Sequence, residues 1–256
     1  MKVVILAGGY GTRISQESEM KPKPMIEIGG MPIIWHIMKE YSYYGHNEFV
    51  ICAGYKQEMV KEWFANYFIY NNDVTFNLSD ENKILIHNKK SEPWLVTVCD
   101  TGLDTPTGGR IKKIQQYVEG QDFLLTYGDG VCDVDINEVI KFHNSHDRTA
   151  TITAVKKPQD KGILEINNDL TVKAFREKSI TDGALINAGY MVLRPQIFEY
   201  LKEDTSLENE TLPGLANSNE LKSYIHEGYW QCMDTIREKI ELENLIQNNQ
   251  AFWIKW

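Results

Sequence analysis

The sequence lacks the features that would place the chain in a membrane or outside the cell. Its apolar runs are all far shorter than the roughly 18–20 residues that cross a bilayer. Residues 1–11 contain no basic stretch leading into an apolar stretch and a cleavage site, so we expect no signal peptide. The four cysteines form no C-x-x-C pair, which argues against a zinc site and favours free thiols in a reducing cytoplasm.

Positive charge is also scarce. The 27 lysines and arginines are outnumbered by 36 aspartates and glutamates, which gives a formal net charge of −9. This balance argues against a nucleic-acid-binding surface, although a small pocket for a free nucleotide can still be locally basic. The length of 256 residues is sufficient for one large α/β domain with an ample core.

What the sequence does have is a glycine-rich turn directly after its first apolar run. Residues 3–7 (VVILA) predict a strand buried on both faces, as in a parallel sheet. Gly8, Gly9 and Gly11 then allow a sharp turn that brings the backbone close to a ligand. Backbone N–H groups in such a turn form an anion cradle, and Arg13 adds a forked phosphate donor. We therefore predict a nucleotide-phosphate site at the first strand-to-helix turn.

Two lysines follow in a segment punctuated by proline, Lys21-Pro22-Lys23-Pro24. Because each proline disfavours helix at the residue before it, we expect extended backbone at both lysines. Side chains two residues apart on extended backbone share a face, so Lys21 and Lys23 should point the same way. A solvated linker and an ammonium placed over the phosphates are equally compatible with this spacing.

A second glycine turn lies in the segment Thr107-Gly108-Gly109-Arg110. It leads into a predicted short helix over residues 111–118, whose start could bind an anion or carry a loop that recognises a base. Glycine pairs before helices are also common where no ligand binds.

Two later strand patterns end in an aspartate. The apolar run over residues 123–127 is followed by Asp129 between two glycines, and ligands bind beyond the carboxyl ends of strands in open α/β sheets. An accessible carboxylate there suits Mg²⁺, which takes one or two carboxylates plus phosphate oxygens. The run over residues 229–233 leads to Asp234. Either Asp234 or Thr235 could instead cap the helix predicted over residues 236–245.

Strand and helix patterns alternate along the first half of the chain. Helical periodicity covers residues 32–44 and 57–70, with an apolar strand pattern over residues 49–53 between them. This alternation predicts a parallel sheet with crossover helices. Residues 163–166 and 172–175 predict a hairpin, and no linker divides the chain. We therefore predict a single domain over residues 1–256.

Taken together, these segments resemble the sugar-phosphate nucleotidylyltransferases, and most closely their glucose-1-phosphate cytidylyltransferase branch. The matching segments run in order from end to end: LAGGYGTR (6–13), KPKPM (21–25), WHIM (35–38), EPW (92–94), DTG (100–102), TGGR (107–110), TYGDG (126–130) and WQCMDT (230–235). The order of these segments makes the resemblance far more specific than any single one of them.

The resemblance implies a fold and an activity. The fold is α/β, with a Rossmann-like, mostly parallel central sheet flanked by helices and small β-hairpin and helical insertions in the C-terminal part. Residues 1–130 would bind the nucleotide, and residues 131–256 would bind the acceptor and contribute to oligomerisation. The implied activity is Mg²⁺-dependent transfer from CTP to a sugar 1-phosphate such as glucose 1-phosphate, with release of pyrophosphate. The implied setting is a cytoplasmic homo-oligomer serving bacterial surface or capsule polysaccharide synthesis, with no nucleic-acid or membrane partner.

The resemblance also assigns residues to roles. Arg13, Lys23 and Asp129 are the implied catalytic residues, with Lys21 as a second cation, and Asp129 and Asp234 are the implied Mg²⁺ ligands. The implied nucleotide contacts are Leu6, Ala7, Gly8, Gly9, Gly11, Thr12, Arg13, Lys23, Thr105, Thr107, Gly108, Gly109, Arg110, Gly128 and Asp129. The implied acceptor contacts are Lys161, Gly162, Glu177, Lys178 and Asn187.

Departures from the family pattern leave the acceptor open. An aromatic or basic residue followed by Phe-Gly is replaced here by 160–162 (DKG), and Glu-Lys-Pro is replaced by 177–179 (EKS). These changes admit a non-sugar acceptor such as phosphoglutamine beside glucose 1-phosphate.

Other nucleotide-binding classes fit less well. A non-catalytic nucleotide-sensing module is a further alternative, but it would be expected to have lost Lys23, Asp129 or Asp234. The sequence contains no P-loop pattern, and Ile14 stands where a dinucleotide-binding fingerprint requires glycine.

Overall fold

The computed structural model describes residues 1–79, 83–88, 90–118, 120–157, 163–166, 172–176 and 184–256. Its strands are β1 (Val3–Ala7), β2 (Glu27–Ile28), β3 (Met31–Pro32), β4 (Glu48–Ala53), β5 (Asp73–Asn77), β6 (Lys83–His87), β7 (Leu95–Asp100), β8 (Phe123–Tyr127), β9 (Gly130–Cys132), β10 (Ala150–Lys157), β11 (Ile163–Ile166), β12 (Val172–Arg176), β13 (Ala184–Leu193), β14 (Leu221–His226) and β15 (Trp230–Cys232). Its α-helices are α1 (Ser15–Ser18), α2 (Ile33–Tyr43), α3 (Gln57–Tyr70), α4 (Thr107–Lys113), α5 (Gln115–Val118), α6 (Ile136–Asn144), α7 (Ile197–Tyr200), α8 (Leu212–Asn217) and α9 (Ile236–Gln247). Short 3-10 turns cover Thr12–Ile14 and Lys23–Met25, and a π-helical turn covers Leu207–Thr211.

A seven-stranded sheet forms the centre of the molecule, in the order β14-β10-β13-β8-β1-β4-β7. β13 runs antiparallel to its neighbours β10 and β8, and the remaining neighbours are parallel. The mostly parallel sheet predicted from the sequence is therefore confirmed. The predicted hairpin is also present, because β11 and β12 pair antiparallel.

Both faces of the sheet are covered, which explains the unbroken apolar run of its first strand. Val3 and Ile5 point into one core with α2, whereas Val4 and Leu6 point into a second core with α4 and α7. Alternate residues of a strand face opposite sides, so a strand buried on both sides needs apolar residues throughout. Within the described part of the chain, no helix combines the length and apolar character needed to cross a bilayer.

The strand order brings three turns to one edge of the sheet. β8, β1 and β4 are parallel neighbours, and β7 lies next to β4, so the turns that follow β8, β1 and β7 leave the same edge. A hydrogen bond from Gly128 N to Leu6 O (2.9 Å) joins the first two directly. Residues that are more than 100 positions apart in the chain thus meet at the carboxyl ends of the strands, as expected for a ligand site in an open α/β sheet.

Two local predictions are wrong. The helix predicted over 111–118 begins earlier, at Thr107, and breaks at Ile114 into α4 and α5. Its first turn includes Gly109, where a Cβ would lie only 2.0 Å from the backbone oxygen of Glu203, so a neighbouring chain segment requires glycine there. Lys23 is not on extended backbone but opens a 3-10 turn, all three residues of which are buried.

Candidate active site

A cleft of about 500 Å³ opens at the edge of the sheet where these turns meet. Its lining includes most of the nucleotide contacts predicted from the sequence: Leu6, Ala7, Gly8, Gly9, Gly11, Thr12, Arg13, Lys23, Thr105, Thr107, Arg110, Gly128 and Asp129. Gly108 and Gly109 do not line it; a side chain on either would collide with the backbone of Thr205 or Glu203. The structure therefore explains these two glycines by packing.

Each glycine of the turn after β1 has a different local environment. Gly11 has a φ of +66°, a left-handed conformation that favours glycine, and the carbonyl of Gly11 accepts from Ile14 N at 3.0 Å. Gly8 packs against the Arg110 guanidinium, where a Cβ would lie 2.1 Å from Nη1. At Gly9, no atom of the described residues would lie within 4 Å of an added Cβ, because that position faces the open cleft. The turn thus keeps its backbone accessible to a ligand.

Lys23 lies between two carboxylates at one side of the cleft. Its Nζ donates to Asp129 Oδ2 at 2.6 Å and to Asp234 Oδ1 at 2.5 Å, and Arg13 Nη1 donates to Asp234 Oδ2 at 2.6 Å. Burial opposes the charge on Lys23, but the Asp129 and Asp234 carboxylates outweigh it, so the pKa of Lys23 is raised. Burial likewise opposes ionisation of Asp234, but Lys23 and then Arg13 lower its pKa. Both partners are therefore charged at neutral pH.

A small two-stranded sheet sets the spacing of the two aspartates. β9 starts directly after Asp129 and pairs antiparallel with β15. β15 ends two residues before Asp234. Met233 N also donates to Asp129 O at 2.8 Å, which ties the two segments together next to their carboxylates. Although 105 positions apart in the sequence, Asp129 and Asp234 are thus held side by side by backbone hydrogen bonds.

The cap of α9 is Thr235, so the Asp234 carboxylate is not used for capping and pairs with Lys23 and Arg13 instead. Thr235 Oγ1 accepts from Glu238 N at 3.2 Å, and the Glu238 carboxylate accepts from Thr235 N at 2.9 Å, which completes a capping box. The ambiguity between Asp234 and Thr235 that the sequence left open is resolved in favour of Thr235.

The donor set at this point of the cleft fits a divalent cation. Two carboxylates that converge on one ammonium offer hard oxygen ligands, and Mg²⁺ is commonly bound by one or two carboxylates plus phosphate oxygens. The charges also fit. A bound cation would replace the Lys23 ammonium as the counter-charge of the two carboxylates, and the ammonium would then be available to other anions.

Arg110 supports the cleft from behind. Its side chain is buried, and its guanidinium donates to Thr101 Oγ1 (2.7 Å) and to the backbone oxygens of Gly102 (2.7 Å), Leu103 (3.0 Å), Gly8 (3.1 Å) and Ala53 (3.4 Å). Burial lowers its pKa. Arg110 therefore holds the turns after β1, β4 and β7 together, a scaffolding role that the glycine-arginine pattern did not predict.

Two aromatic–carboxylate contacts were missed by the sequence reasoning. Tyr10 OH donates to Asp104 Oδ1 at 2.7 Å across the cleft, and Tyr127 OH donates to Glu208 Oε1 at 2.6 Å. Glu208 also accepts from Thr107 Oγ1 at 2.5 Å. Tyr10 stands inside the glycine motif and could have been noticed, but Glu208 belongs to a distant helical segment and carries no local signal.

The predicted acceptor contacts are only partly described by the structure. Lys161, Gly162, Glu177 and Lys178 lie outside the described residues. Asn187 is half-buried in β13, where its Oδ1 accepts from Gly189 N at 2.9 Å. Gly189 in turn packs against the ring of Tyr127, which lines the cleft. Asn187 is thereby linked to the lining of the cleft.

Lys21 is separate from Lys23. Its Nζ donates to Glu27 Oε1 at 2.5 Å, and it lines a different and smaller pocket of about 200 Å³. The 3-10 turn that begins at Lys23 directs the two side chains to different places. The expectation that both lysines point the same way is therefore wrong.

A second cluster of potential metal ligands lies beyond the far end of β9. Cys132, Asp133 and His226 have ligand atoms within 4.8 Å of one another. Asp133 Oδ1 already accepts from His226 Nε2 and Tyr229 N, both at 2.7 Å, and burial raises the pKa of the Cys132 thiol. We interpret this cluster as a set of structural hydrogen bonds that joins β9 to the segment after β14. All four cysteines are free thiols, as predicted.

Comparison with known proteins gives a consistent result. The family model described as "Nucleotidyl transferase" matches residues 2–248. The chain is 50% identical to the glucose-1-phosphate cytidylyltransferase of Salmonella typhimurium and 40% identical to the probable glucose-1-phosphate cytidylyltransferase of Bacillus subtilis, in each case over 100% of both chains. Among solved structures, HddC from Yersinia pseudotuberculosis superposes with a TM-score of 0.67 at 23% identity, covering 96% of this chain and 99% of that one. The structural likeness supports the predicted fold.

Proposed function

The chain belongs to the nucleotidyl transferase family, and on that premise we propose that it transfers the cytidylyl group of CTP to glucose 1-phosphate, giving CDP-glucose and pyrophosphate. The observation that carries this proposal is the full-length similarity to two bacterial glucose-1-phosphate cytidylyltransferases. That similarity favours a sugar phosphate over phosphoglutamine as the acceptor. It also favours an enzyme over a nucleotide-sensing module.

The chemistry is an in-line displacement at phosphorus. An oxygen of the acceptor phosphate forms a bond to the α-phosphorus of CTP, and the bond from that phosphorus to the bridging oxygen of the β-phosphate breaks. The electron pair leaves with pyrophosphate. A phosphate monoester is anionic at neutral pH, so the attack requires no general base. Catalysis then consists mainly of positioning and of stabilising negative charge.

The residues of the cleft suit these two tasks. We infer that the glycine turn holds the triphosphate through its backbone N–H groups, while Arg13 and Lys23 balance charge on the departing pyrophosphate. We also infer that Thr105 and Thr107, which line the same cleft, contact the base. Arg110 contributes by fixing the turns that carry these groups, as its hydrogen bonds indicate.

We further infer that Asp129 and Asp234 hold Mg²⁺. When bound, the ion would neutralise charge on phosphate oxygens of the nucleotide. The residues support this assignment because the two carboxylates converge on the Lys23 ammonium, and Asp129 lines the cleft.

An assay of pyrophosphate release tests the proposal. Each of the four nucleoside triphosphates is combined with glucose 1-phosphate, another hexose 1-phosphate or phosphoglutamine, with Mg²⁺ or with a chelator. We expect release with CTP and glucose 1-phosphate that disappears with the chelator. Release with phosphoglutamine alone would overturn the acceptor assignment, and release with UTP alone would overturn the base assignment. No release with any combination would overturn the enzymatic function.

We propose a cytoplasmic homo-oligomer that supplies surface polysaccharide synthesis. The hairpin of β5 and β6 supports self-association because it exposes Phe76 (54%), Ile84 (49%) and Leu85 (59%), and an isolated two-stranded hairpin is only marginally stable in water. The free thiols suit a reducing compartment. Light scattering of the purified protein tests the assembly: a monomeric mass would contradict it.

A further inference from the structure

Behind the strand that follows Asp129 lies a buried carboxyl group that the chemistry above does not use. Glu40 belongs to α2 and is 1% exposed. Its Oε2 lies 2.8 Å from the hydroxyl of Tyr190, while its Oε1 has no hydrogen-bond partner among the described residues. An ionised carboxylate in such a place would be costly, because burial opposes its charge and no lysine or arginine of the described ranges forms a salt bridge with it.

Tyr190 connects this carboxyl to the catalytic edge of the sheet. It is 1% exposed in β13, its ring stacks on Tyr41 at a centroid distance of 5.7 Å, and its hydroxyl lies 3.1 Å from the backbone oxygen of Gly130. Gly130 is the first residue of β9 and the immediate neighbour of Asp129. The contact therefore reaches the backbone that carries a predicted metal ligand.

The number of protons decides how these groups are bonded. The Tyr190 hydroxyl has one proton and two acceptors within reach, Glu40 Oε2 and Gly130 O. Both contacts become good hydrogen bonds at once if Glu40 carries a proton of its own and donates it to the tyrosine oxygen. Tyr190 then donates to Gly130, and the chain of donors runs in one direction.

We propose that Glu40 and Tyr190 are positioning residues, in which a protonated Glu40 orients the Tyr190 hydroxyl toward Gly130 O and so holds Asp129 at its place beside Asp234. This proposal rests on the proposed metal-binding role of the two aspartates. The burial of Glu40 supports it, since burial raises the pKa of this carboxyl well above its ordinary value, against weaker opposing effects of Tyr190, Lys255 and the Cys132 backbone. Asp133 acts in the same direction as burial.

Infrared spectroscopy tests the protonation state directly. We expect wild-type protein at neutral pH to show the carbonyl band of a protonated carboxyl group, and Glu40→Gln to lack it. If the two spectra show no such difference, Glu40 is ionised and the proposed donor chain is wrong. This measurement does not depend on any variant of Tyr190.

Binding of Mn²⁺ tests the positioning role. Calorimetry with a non-reactive CTP analogue measures the Mn²⁺ affinity of wild type, Tyr190→Phe, Glu40→Gln and the control Tyr67→Phe. Tyr67 also donates to a carboxylate, that of the partly buried Glu92, but lies away from β9. We expect Tyr190→Phe to weaken Mn²⁺ binding roughly tenfold, as is typical when a group that orients a ligand is lost. Tyr67→Phe should leave it unchanged, and Glu40→Gln should retain it because the amide N–H replaces the carboxyl donor.

The outcomes separate this inference from the proposed function. Wild-type protein that binds no Mn²⁺ with the analogue would overturn both. Unchanged affinity in Tyr190→Phe, with only a lower melting temperature, would overturn the positioning role alone. A loss in Glu40→Gln as large as that in Tyr190→Phe would show that the charge of Glu40, not its proton, is needed. If Tyr190→Phe does not fold, Glu40→Leu takes its place, because leucine removes the donor and keeps Tyr190: weaker Mn²⁺ binding in Glu40→Leu but not in Glu40→Gln supports the role, and unchanged binding in both overturns it.

Discussion

The glycine-arginine segment after β1 and the one that begins α4 look alike in sequence but have different roles. Each contains glycines followed by an arginine. The side chain of Arg13 is 73% exposed at the cleft and contacts one carboxylate, whereas Arg110 is 4% exposed and its donors are taken up by backbone oxygens and Thr101. A donor already used inside the protein is not available to a ligand. The first segment is therefore suited to binding a ligand, and Arg110 of the second segment holds the first in place.

Removing the side chain of Arg110 tests the difference between the two arginines most directly. Arg110→Met should lower the free energy of unfolding by about 3–4 kcal/mol, because several buried carbonyl oxygens would lose their donor at about 1 kcal/mol or more each. Urea unfolding followed by circular dichroism measures the change. Arg13→Met is the matched control and should change stability by less than about 0.5 kcal/mol. Equal effects in the two variants would contradict the distinction between the turns.

The largest effect on catalysis is expected at Lys23. Lys23→Ala should lower kcat by roughly 10²–10³, by analogy with the loss of one donor to a developing oxyanion. Steady-state kinetics at saturating CTP measures it, with Lys21→Ala as the control two residues away. Near-normal turnover of Lys23→Ala, or an equal loss in Lys21→Ala, would show that the role given to Lys23 is wrong.

A smaller effect is expected at Arg13, whose side chain is mostly exposed. Arg13→Met should lower kcat/KM for CTP roughly tenfold, which corresponds to about 1.4 kcal/mol and to one charge-assisted hydrogen bond. The same kinetic assay, run on folded variant protein, provides the number. An unchanged kcat/KM would show that Arg13 does not contribute to the use of CTP, and the difference between Arg13 and Arg110 would then be smaller than we infer.

The smallest effect concerns the pH dependence of stability. Because the folded-state pKa of Asp234 is lowered, its ionised form adds stability above its unfolded pKa of about 3.9, and this contribution is lost as the pH falls through the folded value. Unfolding of wild type between about pH 5 and pH 2 should therefore show a steeper loss than Asp234→Asn. Parallel curves for the two proteins would contradict the pairing of Asp234 with Lys23.

Sequence reasoning succeeded where a local pattern determines the structure. The buried strand β1 follows from five consecutive apolar residues, and α3 coincides with the predicted range because helical periodicity persists over four turns. The placement of Asp129 at the end of β8 follows from the same logic. These features depend on neighbours in the chain.

Features set by distant contacts were not predictable from local patterns. The role of Arg110 depends on Gly8 and Ala53, which are 102 and 57 positions away. The different directions of Lys21 and Lys23 arise from a short 3-10 turn that the prolines alone did not indicate. The contact of Glu40 with Tyr190 spans 150 positions, and an acidic residue within an amphipathic helix pattern gives no sign that it will be buried.

The central claim is that the two carboxylates holding Lys23 also hold a divalent cation beside the nucleotide phosphates. Anomalous diffraction from crystals grown with Mn²⁺ and a non-reactive CTP analogue tests it most directly. We expect an anomalous peak in contact with both Asp129 and Asp234. A peak that contacts neither carboxylate, or that lies only at the cluster of Cys132, Asp133 and His226, would contradict the account.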